Sequence, residues 1–237
     1  MGKYLRATAT PDALCVGIIM DGNRRWALSR GLPSMEGHST GLAKAKDIVR
    51  HAFSSNFGVG TIILYAFSTE NWNRAPEEVA YLLDLFGGAL MRELDELSRE
   101  GICVRFIGDF ARLPEKLRAS MRKLEQESIS ADSMKTLVVA LSYGGRAEIL
   151  SAANRLLAAG IKNVNTDDFD AALWSAGIKD PDIIIRTGGE KRLSNFLPWQ
   201  SVYSEFFFSD SFWPDFSHAE FDAILEGFAA RERRRGE

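Results

Sequence analysis

The chain has 237 residues, 46% of them hydrophobic and 26% charged, the make-up of an ordinary globular protein with room for one large α/β domain or two small ones. A net charge of −3 and a pI near 5.8 argue against a general nucleic-acid binder. No apolar run approaches the ~18–20 residues of a spanning helix, and no cleavable signal pattern opens the chain, so a soluble, cytoplasmic protein without a transmembrane segment is expected. Cys15 and Cys103, the only cysteines, sit in apolar runs and read as buried free thiols in a reducing compartment.

Residues 1–13 are polar and carry Pro11, the pattern of a flexible arm. Leu14 to Met20 is an apolar run and reads as a buried strand, ending in Asp21-Gly22-Asn23-Arg24-Arg25-Trp26. Gly37-His38-Ser39-Thr40-Gly41 opens an amphipathic helix to about Ser54. A second strand, Thr61 to Phe67, ends in Ser68-Thr69-Glu70-Asn71-Trp72-Asn73-Arg74. Pro76 then starts a helix whose apolar stripe reaches Leu97, with Gly87-Gly88 predicting a kink. Ile102 to Ile107 is a third strand and 114–127 a helix. A fourth strand over 136–141 leads through Ser142-Tyr143-Gly144-Gly145-Arg146 into a helix to Ala159. Thr166 is the expected cap of a helix to Trp174. Strands over 182–186 and 203–208 flank a helix-like segment, Asn195 to Gln200, and a last helix runs from about Ser217 to a basic end, Arg231, Arg233, Arg234 and Arg235. Some six strand–helix alternations predict a mostly parallel six-stranded central sheet flanked by helices, in a single domain over 14–237.

The strands end in polar clusters, and in a parallel sheet those ends share the edge where ligands bind. There stand the acids Asp21, Glu70 and Glu205 and the bases Arg25, Arg74, Arg186 and Arg192. The fullest cluster is Arg186-Thr187-Gly188-Gly189-Glu190-Lys191-Arg192-Leu193-Ser194, with two guanidiniums, a hydroxyl and a Gly-rich turn. Many arginines with few carboxylates suit a doubly phosphorylated substrate and one hard cation, since Mg²⁺ prefers one or two carboxylates plus phosphate oxygens. The chain has neither a phosphate loop ending in Gly-Lys-Ser/Thr nor a dinucleotide fingerprint, and its three histidines are too scattered for a zinc site by spacing.

Met20 to Ala27, Gly37-His38 with Gly41, Tyr65 to Arg74, Tyr143 to Arg146, Arg186 to Phe196, Trp213-Pro214-Asp215-Phe216 and the Arg-rich ending together resemble the cis-prenyltransferases of the undecaprenyl diphosphate synthase type. The resemblance spans residues 14–236 in order. It implies a homodimeric α/β enzyme with an apolar tunnel, in which isopentenyl diphosphate attacks an allylic diphosphate, diphosphate leaves and a cis double bond forms. By the same resemblance Asp21 falls on the magnesium-binding aspartate, with Glu205 a second metal-linked carboxylate. Gly22, Asn23, Arg24, Arg25, Trp26 and His38 fall on the allylic pocket. Arg186, Arg192, Leu193 and Ser194 fall on the isopentenyl diphosphate site. Ser68, Thr69, Glu70, Asn71, Trp72 and Arg74 fall on the mobile segment that closes over the reacting carbons, Asn71 being linked to proton removal. A neutral amide is a weak base, so Asn71 is expected to act through water or a diphosphate oxygen. Phe67, Leu83 and Phe86 are expected to wall the cation pocket, and the tunnel walls to carry Gly87, Gly88, Val138 and Leu141. Transient membrane contact at product release is also implied.

Three departures from the family pattern bear on the product. Ser34 stands where long-chain members carry Arg, Val138 and Ser142 stand where they carry Asn in the strand, and Gly87-Gly88 replaces larger residues. They point to a short product or to irregular, head-to-middle coupling on dimethylallyl diphosphate. A non-catalytic partner subunit is the reading of another class, and the presence of Asp21, Arg25, Arg186 and Arg192 weighs against it. A phosphatase-like enzyme would need a nucleophile beside a base, and none is convincing. Asp167-Asp168-Phe169-Asp170 faintly resembles an aspartate-rich prenyltransferase motif but reads as a helix's first turn, where acids favour the dipole.

Overall fold

Short runs of Val, Ile and Leu with no polar alternation are built to be covered on both faces, and that is how they are used. The computed structural model describes residues 13–129 and 133–231. The expected arm before residue 13 and Arg233, Arg234 and Arg235 lie outside the described residues. The strands are β1 Leu14–Ile19, β2 Val59–Ser68, β3 Cys103–Ile107, β4 Thr136–Tyr143, β5 Ile183–Arg186 and β6 Glu205–Phe208. They form one six-stranded sheet in the order β3-β4-β2-β1-β5-β6. Every adjacent pair is parallel.

The helices are α1 Asn23–Ser29, α2 Ser34–Ser54, α3 Pro76–Leu85, α4 Met91–Arg99, α5 Glu115–Ser128, α6 Gly145–Ala158, α7 Thr166–Ala172 and α8 His218–Ala229. Alternate strand residues face opposite ways. Val16, Ile18, Ile62, Leu64 and Val139 join the larger core with Ile48 of α2, Leu82 of α3 and Phe221 of α8. Cys15, Ile63, Val138, Tyr143 and Ile184 point to the other face, under Phe196 and Leu197. Among the described residues no helix is long and apolar enough to cross a membrane. Both cysteines are buried and free, and burial pushes both thiols up, which leaves them protonated and unreactive.

Four local expectations are corrected. Helix α2 begins at Ser34, behind Pro33, rather than at Gly37. Gly37 and Gly41 lie inside it, and each is needed for close approach to α1: a Cβ would stand 2.0 Å from the Asn23 carbonyl oxygen or 2.1 Å from Asn23 Oδ1. The interruption at Gly87-Gly88 is a single π turn, Phe86–Leu90, with both glycines exposed and open space where their side chains would be. They therefore line no internal wall. Asn165, not Thr166, caps α7, accepting 2.9 Å from the Asp168 N–H. Residues 195–200 are not helical: Ser194, Asn195 and Leu197 take left-handed φ of 48, 67 and 49°. That backbone is held because Phe196 and Leu197 are fully buried, with Phe196 stacked 4.6 Å from Tyr65.

Beneath this loop Glu148 of α6 is 0% exposed and fully satisfied. It accepts from Ser175 N at 2.9 Å, Ser175 Oγ at 2.8 Å, Gln200 Nε2 at 3.0 Å and the Tyr143 hydroxyl. One carboxylate thus ties the end of β4, α6 and the loop before β6 into one unit. Glu148→Ala would strand four buried donors, and urea unfolding should show a loss of about 3 kcal/mol or more, while Glu148→Gln should lose roughly half as much.

Candidate active site

Ile19 at the end of β1 is in register with Arg186 at the end of β5. From β1 the chain turns to β2 on one side, and β5 later joins on the other, which opens a crevice at the carboxyl edge where such sheets take ligands. Asp21 and Arg186 meet there. Arg186, 4% exposed, gives one Nη to Asp21 Oδ2 at 2.8 Å and the other to Ser194 Oγ at 2.7 Å and the Arg192 carbonyl. Its Nε is buried without a partner. Arg25, one turn into α1, reaches Asp21 at 3.1 Å and donates 2.8 Å to the Gly188 carbonyl. Gly188 has φ +83°, and a Cβ on it would lie 2.7 Å from the Arg25 guanidinium. Partial burial favours the neutral acid at Asp21, but the bond and charge of Arg186, then Arg25, outweigh it and hold the carboxyl below its usual range. Asp21 is an anion at neutral pH.

A second knot of charge lies beside the first. Glu78 on α3 takes Arg74 at 2.8 Å, His38 at 3.4 Å and Arg24 at 3.4 Å. Burial lowers the His38 pKa, Arg74 lowers it further and Glu78 only partly offsets them, so the imidazole is neutral near pH 7.

The segment after β2 is a 3₁₀ turn, Thr69–Asn73, closed by a reciprocal cap between Ser68 and Asn71. The Asn71 amide oxygen accepts from the Ser68 N–H at 3.0 Å. Thr69 donates 3.1 Å to Glu70, whose other oxygen accepts from Asn195 at 2.9 Å. Burial opposes ionisation of Glu70, but the Asn195 bond and its neighbours hold its pKa below the usual value. Asn195 also takes the first N–H groups of α6, from Gly145 at 2.8 Å and Arg146 at 2.9 Å. Trp72 donates 2.9 Å to Ser142 Oγ, lies edge-on to Phe67 and carries Arg112 4.3 Å above its ring. Ser142 holds a left-handed φ of 51° at 1% exposure.

Asp21, Gly22, Asn23, Arg24, Arg25, His38, Arg186 and Ser194 therefore gather around the crevice. Other expected residues point elsewhere. Trp26 donates 2.7 Å to Asp215 and lies under Arg30, which pins α1 to the Trp213–Asp215 turn. Arg192 turns outward to Glu190, so its carbonyl rather than its guanidinium meets Arg186. Leu193 packs, partly buried, against the smaller core. Glu205 opens β6 in register with Ile183, at the strand's amino end, where it pairs with Arg231. Asp21 lies past the opposite end of the sheet, so within one chain the two carboxylates share no site. No group of three His, Cys, Asp or Glu able to hold a metal occurs among the described residues. Sequence reasoning missed Glu78 as a site residue. The i,i+4 spacing from Arg74 was the available signal, but it reads equally as a favourable charge in a helix's first turn.

Behind Asn23, His38 and Gly41 lies a cavity of about 70 Å³, walled by Leu64, Ala66, Leu82, Leu85, Phe86 and Leu90 among others. Of the expected walls Phe86 lines it, and Phe67 and Leu83 do not. Val138 faces the opposite side of the sheet; Val139 lines the cavity in its place. Asn23 Oδ1, at the cavity edge, is buried and unpartnered.

Fixed cations at a parallel-sheet switch point, backed by apolar space, are the arrangement of an α/β protein suited to a ligand with an anionic head and an apolar tail. Comparison with known proteins gives that class its family. A family model described as putative undecaprenyl diphosphate synthase matches residues 19–236. An isoprenyl transferase of Thermotoga maritima is 44% identical over 225 residues, covering 93% of this chain and 95% of that protein. One of Brucella abortus is 46% identical over 232 residues, covering 95% and 90%. The crystal structure of lavandulyl diphosphate synthase from Lavandula x intermedia, in complex with dimethylallyl diphosphate, superposes with a TM-score of 0.87 at 35% identity, covering 94% of this chain and 98% of that one. A probable undecaprenyl diphosphate synthase from Campylobacter jejuni gives 0.79 at 30%, covering 96% and 100%. The chain belongs to the undecaprenyl diphosphate synthase family and is a prenyl-transferring enzyme.

The two influences on His38 can be separated. By NMR its imidazole should titrate below an ordinary histidine, and Glu78→Gln, which removes the raising partner, should move the midpoint lower still. A midpoint at or above the ordinary value would contradict the geometry.

Proposed function

We propose that the chain condenses an allylic diphosphate with isopentenyl diphosphate into a cis-prenyl diphosphate, with Mg²⁺ as cofactor and a homodimer as the working form. The observation that carries this reading is the pair of cation clusters around Asp21 and Glu78 beside an apolar cavity. The allylic diphosphate takes Arg24, Arg25, Asn23 and His38, which leaves its prenyl tail facing the cavity. The second diphosphate takes Arg186 and Ser194, with the unpartnered Arg186 Nε a donor in waiting. The allylic C–O bond breaks, the new C–C bond forms, a proton leaves the isopentenyl unit and diphosphate departs. Fixed guanidiniums meet the charge that grows on the leaving group. The amide oxygen of Asn71 is occupied by Ser68, so Asn71 orients the segment while a diphosphate oxygen takes the proton.

The donor set fits Mg²⁺: Asp21 offers one ionised carboxylate and substrate oxygens would complete the shell. Bound there, the ion would neutralise diphosphate charge. Asp21→Ala should abolish diphosphate release while the far-UV spectrum is kept, at some cost in stability because the buried Arg186 loses its carboxylate partner. Arg186→Ala should raise the KM for isopentenyl diphosphate by about one to two decades. An Asp21→Ala protein of full activity would sink the assignment.

Ser34, standing where long-chain members carry Arg, favours a short product of about 10 to 20 carbons. Irregular coupling is the second reading, favoured by the likeness to a lavandulyl diphosphate synthase bound to dimethylallyl diphosphate. Mass spectrometry and NMR of the dephosphorylated product, with each C5 donor alone and both together, distinguish them. A branched skeleton from dimethylallyl diphosphate alone would establish the irregular reaction, and a long linear polyprenol would refute both. For the dimer, the exposed edge of β6 with Phe206, Phe208, Val202 and Tyr203 offers the apolar face. Sedimentation at micromolar concentration should give about twice the 26.3 kDa chain mass, and a fully active monomer would rule the dimer out.

A further inference from the structure

Glu78 is an acid ringed by bases, as Asp21 is in the neighbouring cluster. Its side chain is 14% exposed, and three cationic or protonatable groups from three separate elements converge on it: Arg24 from α1, His38 from α2 and Arg74 from the end of the segment after β2. The hydrogen bonds and ion pairs divide by oxygen, with Oε1 taking Arg74 and His38 and Oε2 taking Arg24. A carboxylate ringed by two guanidiniums and an imidazole has the surroundings of a bound phosphate group. Among the described residues Arg24 and Arg74 make no other ion pair. Arg25, the neighbouring base, is committed instead to Asp21 and the Gly188 carbonyl.

We propose that Glu78 is the resident counter-ion of the phosphate pocket: it holds Arg24, His38 and Arg74 together while the pocket is empty, and it yields Arg24 and His38 to the incoming diphosphate while keeping Arg74. It is a positioning residue that sets affinity, acting through the three groups it holds. The proposal rests on Arg24 and His38 being ligands of the allylic diphosphate. Two effects of opposite sign compete. Glu78 preorganises the cradle, which aids binding, and it occupies the cradle and repels the second anion, which opposes binding. Repulsion wins in this geometry. Arg24 is half exposed at the tip of a long side chain and its contact with Glu78 is 3.4 Å, so little order is lost when that contact breaks. The diphosphate, once seated on Arg24, lies beside a carboxylate that cannot leave, because Glu78 is fixed on α3 and still held by Arg74 four residues earlier. The cost falls on substrate and product alike, and it speeds the release of inorganic diphosphate after each condensation. Arg74, which closes the segment that carries Glu70 and Asn71, is the partner Glu78 keeps.

The test is calorimetric titration of inorganic diphosphate into the full chain. Glu78→Gln keeps the side-chain volume and an acceptor for Arg74 but removes the charge. It should lower the Kd about tenfold, with the far-UV spectrum unchanged. Glu78→Asp keeps the charge but draws it away from Arg24, and should give an intermediate value, which keeps the proposal testable if Glu78→Gln does not fold. Arg24→Ala should weaken binding more in the Glu78→Gln background than in the native one, since there Arg24 need not first be taken from its partner. At saturating substrate Glu78→Gln should also lower kcat together with KM, as slowed product release requires. An unchanged or higher Kd in both folded variants would overturn the counter-ion role while leaving the site assignment standing. Failure of the native protein to bind diphosphate at all would overturn both.

Discussion

The ion pair between Asp21 and Arg186 is the contact on which the site depends. It joins the ends of β1 and β5, the two strands that meet where the sheet changes direction. Arg186 is held almost wholly inside the protein, and a buried guanidinium must have partners, because the cost of stripping its water is recovered only through charge and hydrogen bonds. Asp21, Ser194 and the Arg192 carbonyl supply them. The unusual backbone at Ser194 and Asn195 follows from the same requirement, since the loop must turn back to present a hydroxyl and a carbonyl to one arginine. The buried Glu148 network then anchors the far end of that loop.

Around this pair the protein keeps its cations from repelling one another by placing two carboxylates among them. Asp21 serves Arg25 and Arg186, and Glu78 serves Arg24, Arg74 and His38. A diphosphate brings more charge than either carboxylate and several acceptors in place of two. A diphosphate that reached these bases would find them already in place, so little reorganisation would be needed. The elements that carry the bases are α1, α2, the end of β5 and the turn after β2.

Much of the fold was legible because parallel strands are buried on both faces and so read as unbroken apolar runs, while the surrounding helices show their stripe. The strand positions and the alternation follow from this, and the break in the helix after β2 follows from Gly87-Gly88. The site was legible in part, since chemistry-bearing residues at strand ends share one edge in any parallel sheet. Glu78 was not, because an acid in the first turn of a helix has an ordinary explanation in the dipole. Trp26 and Arg192 look like ligands in a linear motif, yet Trp26 is claimed by Asp215, 189 residues away, and Arg192 by Glu190.

By itself the sequence determined the class of fold, the order of its strands and helices, and the kind of ligand that arginines and one aspartate at strand ends can hold. These are local matters of periodicity, turn residues and charge. Only the tertiary structure decided which residues meet. It put Val139 rather than Val138 on the cavity, because a strand side chain's face depends on a register that one residue reverses. It turned Gly87 and Gly88 outward, since a π turn changes the angle at which successive residues leave the helix. It also set Glu205 at the far end of the sheet from Asp21, a separation fixed by the parallel pairing of β5 with β6.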